Sequence, residues 1–413
     1  MKRSRLPLLA VFPSMVLAVV VVVPLVFGDH LVRWKPGSLL PGLFLGGSEE
    51  SPPSAAAAPK PDRSSSPPKK NNENREVTKK VSKVWQPGAP QWGVQIYWED
   101  NQKWSVDFIA KQARKHADYL VDLGANSVSL SFPFYTGGIS STEITAGAMT
   151  PSPARTTRVL NVFREAGLRT TLRPIMDEQA LNPPKGWRGN IEPADRAAWF
   201  TSYQDFLSPY LEIAEEVGVA TFAIGTELNS MEGDPGWDAL VTSAEGLYSG
   251  EIEYDANWDN YVAGHIDVPV RHLGVDAYFP IKVSDGASVD RLVEGWHTWL
   301  NKKSQGDLPG VLLSEAGIGA RDGAYHAPGD AYAKGPVNPD VQANWYTAVC
   351  RVVQERQMAG VYWWSVSFED DPRVAPNDTV DSRLNFAGRP KTEAAVKECF
   401  NSEYEGPGEA AEQ

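Results

Sequence analysis

The chain has 413 residues, which is enough for one large domain with additional segments, and 42% of them are hydrophobic, as in ordinary globular proteins. A net charge of −13 and a pI of about 5.1 argue against binding to nucleic acid or to anionic membrane surfaces. The six histidines are scattered without the spacing of metal ligands, so the sequence implies no metal and no other cofactor.

The first 28 residues are typical of a targeting segment and are excluded from the fold. Lys2, Arg3 and Arg5 precede an uncharged stretch, residues 6–28, which is just long enough to span a bilayer with its basic end in the cytoplasm. Because no small-x-small cleavage site follows Phe27, an uncleaved signal-anchor is favoured over a signal peptide. We therefore expect a single-pass protein of the cell membrane with its catalytic domain outside, or a secreted protein if the segment is cleaved.

Residues 29–90 form a linker rich in Pro, Ser and Ala. Such a composition cannot bury a core, so we expect a disordered or semi-extended stalk between the membrane anchor and the folded domain. The folded domain is predicted to span residues 91–401. The acidic tail, residues 402–413, is expected to fray.

From Trp92 onward, strand-like segments alternate eight times with helix-like segments. The strands are predicted at 93–98, 127–132, 168–175, 219–227, 251–257, 272–278, 311–315 and 360–366. The helices are predicted at 106–123, 155–166, 194–217, 237–248, 289–303, 340–357 and 390–400. Repeated βα units of this kind predict an α/β fold with a closed parallel sheet, the (β/α)8 TIM barrel. An open doubly wound sheet is the alternative, but Trp98-Glu99-Asp100 stands where its Gly-rich phosphate-binding turn would be.

Two glutamates, Glu227 and Glu315, each end a short apolar run that is predicted to be a buried strand. Burying a carboxylate costs several kcal/mol, roughly, unless a partner or a reaction uses it. The carboxyl ends of barrel strands carry the catalytic groups, and a pair of carboxylates across a sugar is the machinery of most glycosidases. Each glutamate taken alone is equally consistent with a structural ion pair at a strand end.

The ends of the last five strands carry a series of motifs in barrel order. These motifs are Gly225-Thr226-Glu227-Leu228-Asn229, Tyr254-Asp255-Ala256-Asn257-Trp258, Gly274-Val275-Asp276-Ala277-Tyr278-Phe279-Pro280, Ser314-Glu315-Ala316-Gly317 and Tyr362-Trp363-Trp364-Ser365. Over residues 92–400 the chain resembles the clan A glycoside hydrolases, and within the clan it is most similar to family 113, the β-mannanase-type enzymes. The resemblance implies a retaining hydrolase of β-linked polysaccharide or oligosaccharide, with β-1,4-mannan as the leading substrate. It also implies that Glu227 is the acid/base and Glu315 the nucleophile.

One position departs from the pattern of the clan. Many members place an asparagine immediately before the acid/base, where its amide contacts the sugar 2-hydroxyl, whereas this chain has Thr226 there. Asn229 and Asn257 are the candidates to supply that amide instead.

Other strand-end residues are expected to support the chemistry or bind sugar. Glu315 must stay ionised to attack the anomeric carbon, so hydrogen-bond donors should surround it, and Arg173 and Tyr278 are the candidates. Asp276 lies two residues before Tyr278 and shares its inward face, where it is expected to contact the sugar or orient its neighbours.

Fourteen tryptophans and fourteen tyrosines are many for this length, and flat rings suit the apolar faces of pyranose sugars. Trp98, Trp258 and Trp364 are expected to form stacking walls of the substrate site. Core packing is the commoner role of any one ring, and it is favoured for Trp363, which alternation directs away from Trp364.

The two cysteines, Cys350 and Cys399, fall on the last two predicted helices. In an oxidising compartment they are disulfide candidates, and two unpaired buried thiols are the alternative.

Two other functions are compatible with these features: a non-catalytic carbohydrate-binding barrel, or a hydrolase of the cell's own envelope glycans. The choice between endo and exo action depends on how the loops at 133–153 and 317–339 border the groove. The oligomeric state stays open.

Overall fold

The computed structural model describes residues 78–408, except 182–185, 265, 331–332, 334 and 378–383. The expected membrane anchor and most of the expected linker lie outside these residues. Among the helices that are described, none is both long enough and apolar enough to cross a membrane.

Eight parallel strands form a closed barrel in the described part of the chain. The barrel strands are β1 (Gln91–Tyr97), β2 (Ser127–Thr136), β4 (Arg169–Met176), β5 (Thr221–Thr226), β6 (Glu251–Asn257), β7 (His272–Asp276), β8 (Leu312–Ala316) and β9 (Gly360–Ser367). Their order is β1-β9-β8-β7-β6-β5-β4-β2, and pairing of β1 with β2 closes the ring. The short β3 (Ile144–Thr145) lies antiparallel to the end of β2. The fold is therefore a TIM barrel, as the sequence predicts.

Helices surround the barrel, and their ends follow the local sequence. They are α1 (Val106–Leu123), α2 (Pro153–Glu165), α3 (Arg196–Val217), α4 (Gly236–Leu247), α5 (Trp258–Ala263), α6 (Val289–Leu300), α7 (Pro339–Glu355) and α8 (Pro390–Phe400). Ser105 caps α1 by accepting a hydrogen bond from the Phe108 N–H at 3.1 Å, and Gly124 ends that helix in the left-handed conformation with φ +92°.

The predicted elements agree with the structure to within a few residues, apart from the short β3 within the expected 133–153 loop and two further differences. The second strand continues to Thr136 rather than ending at Phe132, so the first part of the expected 133–153 loop belongs to the sheet. The one-turn helix α5 was not predicted, because six residues are too few to show a helical period.

The N-terminal boundary of the packed region lies earlier than expected. Residues 78–90, assigned above to the linker, pack against the amino-terminal end of the barrel. Val81 N–H donates to the carbonyl of Ala166 at 2.9 Å, Lys79 pairs with Asp122 at 2.7 Å, and the Arg169 guanidinium lies 4.7 Å from the Trp85 ring centroid. The compositional signal of the linker is averaged over many residues and hides these few anchoring side chains.

The C-terminal end also packs further than expected. The Tyr404 hydroxyl donates to the carbonyl of Met358 at 2.8 Å, and its ring lies 6.0 Å from that of Trp92. Gly408 N–H then donates to the carbonyl of Gly88 at 3.1 Å, so the two ends of the folded region meet below the barrel.

A disulfide between Cys350 and Cys399 joins α7 to α8, with the two Cα atoms 5.7 Å apart. Trp363 faces these outer helices, where its ring stacks on Tyr346 at 4.3 Å between centroids. Its neighbour Trp364 points the other way, into a small cluster with Tyr97 and Tyr278 at the barrel mouth. The opposite directions of the two tryptophans follow the alternation of a strand.

Candidate active site

A pocket at the carboxyl ends of the strands brings the two strand-end glutamates together. It is lined by Tyr97, Ile175, Arg188, Glu227, Tyr278, Glu315, Gly329, Trp364 and Leu384. The side chains of Glu227 and Glu315 are almost entirely buried, yet both border this opening. Four of the predicted site residues thus meet in one place: Glu227, Glu315, Tyr278 and Trp364.

Glu315, on β8, is held by a hydrogen-bond donor at each carboxylate oxygen. Arg173 Nη1 donates to Oε1, and the Tyr278 hydroxyl donates to Oε2 at 2.6 Å. Burial raises the pKa of Tyr278 well above its usual range, and the nearby charge of Glu315 raises it further, so the hydroxyl keeps its proton. Both predicted partners of Glu315 are therefore in contact with it, and together they fix the orientation of its carboxylate.

Arg173, at the inward face of β4, connects Glu315 to two aspartates. Its Nε donates to Asp255 Oδ2 at 2.5 Å, and its Nη2 donates to Asp276 Oδ1 and Oδ2 at 3.0 and 2.8 Å. All of these side chains are buried, so water screens the charges weakly. Asp276 thus orients Arg173 from within the barrel and is itself held by the Ser314 hydroxyl at 3.0 Å.

One buried guanidinium lies among several buried acidic side chains. Burial raises the pKa of Asp276 well above its usual range, and Arg173 opposes only part of that rise. Burial also raises the pKa of Glu253 well above its usual range, and the charge of Asp255 adds to the effect.

Gly274 makes room for this arrangement. A Cβ atom there would lie 2.1 Å from Asp255 Oδ1, 2.6 Å from Ser314 Oγ and 2.8 Å from Glu253 Oε1. These separations are shorter than any tolerated contact, so only glycine fits between the buried polar side chains.

Glu227 directly follows β5 and adopts a backbone conformation that is uncommon for a residue with a side chain. Its φ is +52°, and its N–H donates to the carbonyl of Asp255 at 2.8 Å. Non-glycine residues in this region are rare and concentrate at functional sites.

The electrostatic setting of Glu227 suits a proton donor. Burial raises the pKa of Glu227 to about 7, the Arg188 guanidinium opposes this, and the nearby charges of Glu315 and Glu178 reinforce it. A carboxyl group with a pKa near neutrality is half protonated at neutral pH and can act as a general acid. Burial thus raises the pKa of Glu227, whereas Glu315 is held by a hydrogen-bond donor at each carboxylate oxygen.

Arg188 is a site residue that the sequence analysis did not identify. Its Nη1 donates to Glu227 Oε2 at 2.7 Å, its Nη2 lies 3.3 Å from Glu178 Oε1, and its Nε donates to the carbonyl of Met176 at 3.0 Å. It comes from the irregular segment after β4, where no periodic pattern exists to mark a functional side chain.

The aromatic predictions have mixed outcomes. The rings of Trp364 and Tyr97 lie 5.8 Å apart in the pocket wall, and the peptide bond between Trp364 and Ser365 is cis. Trp258 is half-buried and packs against this wall from α5. Trp98, which was also expected at the substrate site, does not line the pocket: its ring is fully buried and packs against Phe368 at 4.9 Å. Tyr97 occupies the inward position instead, one residue earlier on β1.

The two amide candidates differ in position. Asn229 Nδ2 donates to Asp259 on α5 at 3.3 Å, and Asn229 is not among the described residues that line the pocket. Asn257 ends β6 in register with Asp276, on the inward face, and its Oδ1 is buried without a hydrogen-bond partner among the described residues. The Thr226 hydroxyl is likewise buried without such a partner, in register with Asp255.

A second group of carboxylates lies at the ends of β1, β9 and β4, beside Tyr97. Burial, followed by the charges of Glu369 and Asp177, raises the pKa of Glu99 to about 8. Burial raises the pKa of Glu369 to about 7, although its Oε1 accepts from the Glu99 N–H at 3.0 Å. Both carboxyl groups therefore keep their protons to a higher pH than an exposed glutamate does.

The pocket residues that the sequence analysis did not identify differ in how clearly the sequence marks them. Tyr97 and Asp255 lie two residues from other inward-facing positions, Gln95 and Asn257, so strict alternation along β1 and β6 would have identified both. No comparable signal marks Arg188 or Leu384.

One protein family and several solved structures are similar to this chain over the barrel region. The sequence profile of glycoside hydrolase family 113 matches residues 96–381. A β-1,4-mannanase of family 113, solved as a complex, superimposes with a TM-score of 0.63 at 19% identity, covering 76% of this chain and 100% of that one. The family 113 β-mannanase AaManA from Alicyclobacillus acidocaldarius, in complex with ManMIm, gives 0.60 at 22% identity, covering 76% and 97%. No curated protein sequence matches this chain.

The profile match spans more than half of the chain and includes both strand-end glutamates. At these identities the superpositions establish the barrel fold alone. The profile match establishes the family: the chain belongs to glycoside hydrolase family 113 and is a glycosidase.

Proposed function

We propose that this glycosidase hydrolyses β-linked polysaccharide or oligosaccharide, with β-1,4-mannan as the preferred substrate, and retains the configuration of the anomeric carbon. The observation that carries the proposal is the division of roles between the two pocket glutamates. Glu315 is held by a hydrogen-bond donor at each carboxylate oxygen, as suits a fixed nucleophile, whereas burial raises the pKa of Glu227 to about 7, as suits a proton donor. Two of its structural neighbours are β-mannanases, which supports mannan as the substrate.

In the first step of this mechanism, Glu227 transfers its proton to the glycosidic oxygen as that bond to the anomeric carbon breaks. A carboxylate oxygen of Glu315 forms a bond to the same carbon, giving a glycosyl ester. The negative charge of Glu315 disappears in this step. Arg173, already held by Asp255 and Asp276, then keeps two of its three acidic partners, so its position is maintained.

In the second step, Glu227 acts as the base. It accepts a proton from water, the water oxygen attacks the anomeric carbon, and the ester bond to Glu315 breaks. Since the charge of Glu315 contributes to the high pKa of Glu227, its loss in the intermediate lowers that pKa. The same carboxyl group is therefore favoured in its protonated form before the ester forms and in its ionised form afterwards, and the ionised form is the one that can accept a proton from water.

Substrate recognition is proposed to use the pocket wall and the inward polar groups. The Tyr97 and Trp364 rings supply apolar surface for a pyranose. Asn257 and Thr226 present buried polar atoms without partners among the described residues, which supports them as the contacts for the sugar 2-hydroxyl.

The proposed location is outside the cell, with residues 1–28 as the membrane anchor or, if cleaved, as an export signal. A hydrolase in that position meets extracellular polysaccharide. It would equally meet the envelope glycans of its own cell, such as peptidoglycan.

The experiment is a hydrolysis screen of the purified protein over mannan, glucomannan, cellulose, xylan and peptidoglycan. Release of mannooligosaccharides is the expected result, with the β-anomer appearing first in proton NMR of the fresh product. First appearance of the α-anomer would refute the retaining mechanism. Cleavage of peptidoglycan alone would replace mannan by an envelope substrate.

A further inference from the structure

Arg188 forms three contacts that fix its guanidinium beside Glu227. Nε donates to the Met176 carbonyl at 3.0 Å, Nη1 donates to Glu227 Oε2 at 2.7 Å, and Nη2 pairs with Glu178 Oε1 at 3.3 Å. The side chains of Glu178 and Glu227 are only 3% and 6% exposed, and that of Arg188 is 12% exposed. The guanidinium is therefore occupied by the protein on each of its nitrogens and is poorly placed to bind a charged substrate.

A cation in direct contact with a general acid is unexpected, because it favours loss of the proton that the acid must donate. Glu178 resolves this difficulty. It shares the same guanidinium, so part of the positive charge of Arg188 is already compensated when it contacts Glu227.

We propose that Arg188 is a positioning residue for Glu227, and that Glu178 and Glu227 share its single positive charge so that Glu227 is held in place without being locked in its ionised form. The inference rests on the proposed function, in which Glu227 is the acid/base. The charge of Arg188 becomes useful in the second half of the reaction, when Glu227 must exist as a carboxylate.

Two substitutions should act in opposite directions on the titration of Glu227. Arg188→Gln removes the largest influence that opposes the raised pKa, so the midpoint should move upward by roughly one pH unit or more. Glu178→Gln frees Arg188 to contact Glu227 alone and removes a repulsive charge, so the midpoint should move downward.

The direction of each midpoint shift follows from the relative sizes of the effects that neighbouring charges have on the pKa of Glu227. Loss of Arg188 also leaves Glu178 without its ion-pair partner and favours its protonation, which weakens the repulsion between Glu178 and Glu227. The net pKa change of Glu227 is still upward, because Arg188 affects that pKa more than Glu178 does. Since the pKa of Glu178 is itself raised to about 6, its substitution matters mainly above that pH. The other charged or titratable groups that act electrostatically with Glu227 stay unchanged in both variants; these are Arg173 on β4, Tyr254 on β6, Asp276 on β7, Tyr278 just after β7 and Glu315 on β8.

The test is an infrared pH titration of the full-length chain labelled with ¹³C-glutamate, in which the band of Glu227 is the one lost in Glu227→Gln. Arg196→Gln is the matched control, because the contacts of Arg196 in the described part of the chain are with Asp234 and the Ser230 carbonyl rather than with a pocket glutamate, so it should leave the midpoint unchanged. Equal midpoints in wild type, Arg188→Gln and Glu178→Gln, or shifts of the two variants in the same direction, would overturn the proposal. Should Arg188→Gln fail to fold, the downward shift in Glu178→Gln decides alone.

This readout needs no substrate, so it separates the inference from the proposed function. If the midpoints of the two variants shift in opposite directions but the protein hydrolyses no glycan, the proposed function is refuted and the proposed charge sharing stands. In an active chain, the basic limb of the pH profile of kcat/KM on mannooligosaccharides, whose leaving groups need protonation, should move with each midpoint. A purely structural role for Arg188 would lower stability without moving that limb.

Discussion

Arg173 and Glu315 form an ion pair across the full width of the barrel. The two residues come from β4 and β8, which lie four strands apart in a ring of eight, so the guanidinium crosses the interior to reach the carboxylate. Asp255 and Asp276 hold the guanidinium from the strands in between. The position of the proposed nucleophile therefore depends on side chains from several parts of the barrel wall.

This dependence predicts a large effect of Arg173→Lys, although the charge is conserved. One ammonium group cannot reproduce a planar fork that contacts three carboxylates at fixed angles. We expect kcat/KM to fall by roughly 10²-fold or more, because small displacements of a reacting group have effects of that size. Steady-state kinetics on mannooligosaccharides provides the measurement. The matched control is Arg351→Lys, which alters an exposed arginine paired with Asp290 and should retain full activity.

The stability of the protein should decrease as the pH rises from about 5 to 8. Burial raises the pKa values of Glu227 and Glu369 to about 7 and that of Glu99 to about 8, against an ordinary value of 4.5. A group whose pKa is raised on folding binds its proton more tightly in the folded chain, so its contribution is full below pH 4.5 and is lost as the pH passes 7 to 8. Calorimetry over this range should show a falling Tm.

The variant Glu99→Gln should flatten that decline, since the amide keeps the shape of the neutral acid and cannot ionise. Glu143→Gln, at an exposed position, serves as the control and should follow the wild-type curve. A Tm that is constant or rises between pH 5 and 8 would show that the buried carboxyls are compensated in some other way.

The segment before β1 should divide into two functionally different parts. Removing residues 1–77 should leave Tm and turnover unchanged, because the packed region includes Val81 and Trp85 from the retained part. Removing residues 1–90 deletes both side chains and the ion pair of Lys79 with Asp122, and should lower Tm while the pocket chemistry is kept. Thermal unfolding of the two truncated proteins distinguishes these outcomes, and equal Tm values would mean that the segment contributes nothing to stability.

The barrel was predictable because its signals are periodic. Each strand is a short apolar run and each helix an amphipathic one, and Gly124 and Gly218 mark helix ends in the left-handed conformation. Strand ends then place Glu227, Tyr278 and Glu315 at one mouth. The barrel topology is therefore enough to predict which strand-end residues lie at the pocket.

What the sequence could not provide was the position of side chains that come from outside the regular strands and helices. Arg188 reaches Glu227 from a segment without repeating geometry. Contacts of this type depend on tertiary folding, which a local pattern does not encode.

The two pocket glutamates should respond differently to truncation, as their surroundings indicate. Glu315→Ala should abolish turnover of every glycoside, because no group remains to form the ester, and azide should restore some rate and give a product of inverted configuration. Glu227→Ala should lose roughly 10²–10⁴-fold on mannooligosaccharides, whose leaving groups need protonation. An activated aryl mannoside needs little acid help, so its first step should persist and appear as a burst before slow hydrolysis of the ester.

The control for both variants is a thermal unfolding curve that shows each to be folded, followed by Glu227→Gln and Glu315→Gln as variants of nearly equal volume. Stopped-flow detection of the aryl leaving group separates the burst from the steady state, and NMR of the azide product gives its configuration. The different donors around Glu315 and the raised pKa of Glu227 require different profiles for the two variants. If folded Glu227→Ala and Glu315→Ala lose natural and activated substrates equally, and azide rescues neither, the two glutamates are structural ion-pair residues of Arg188 and Arg173, and the catalytic groups lie elsewhere on the barrel.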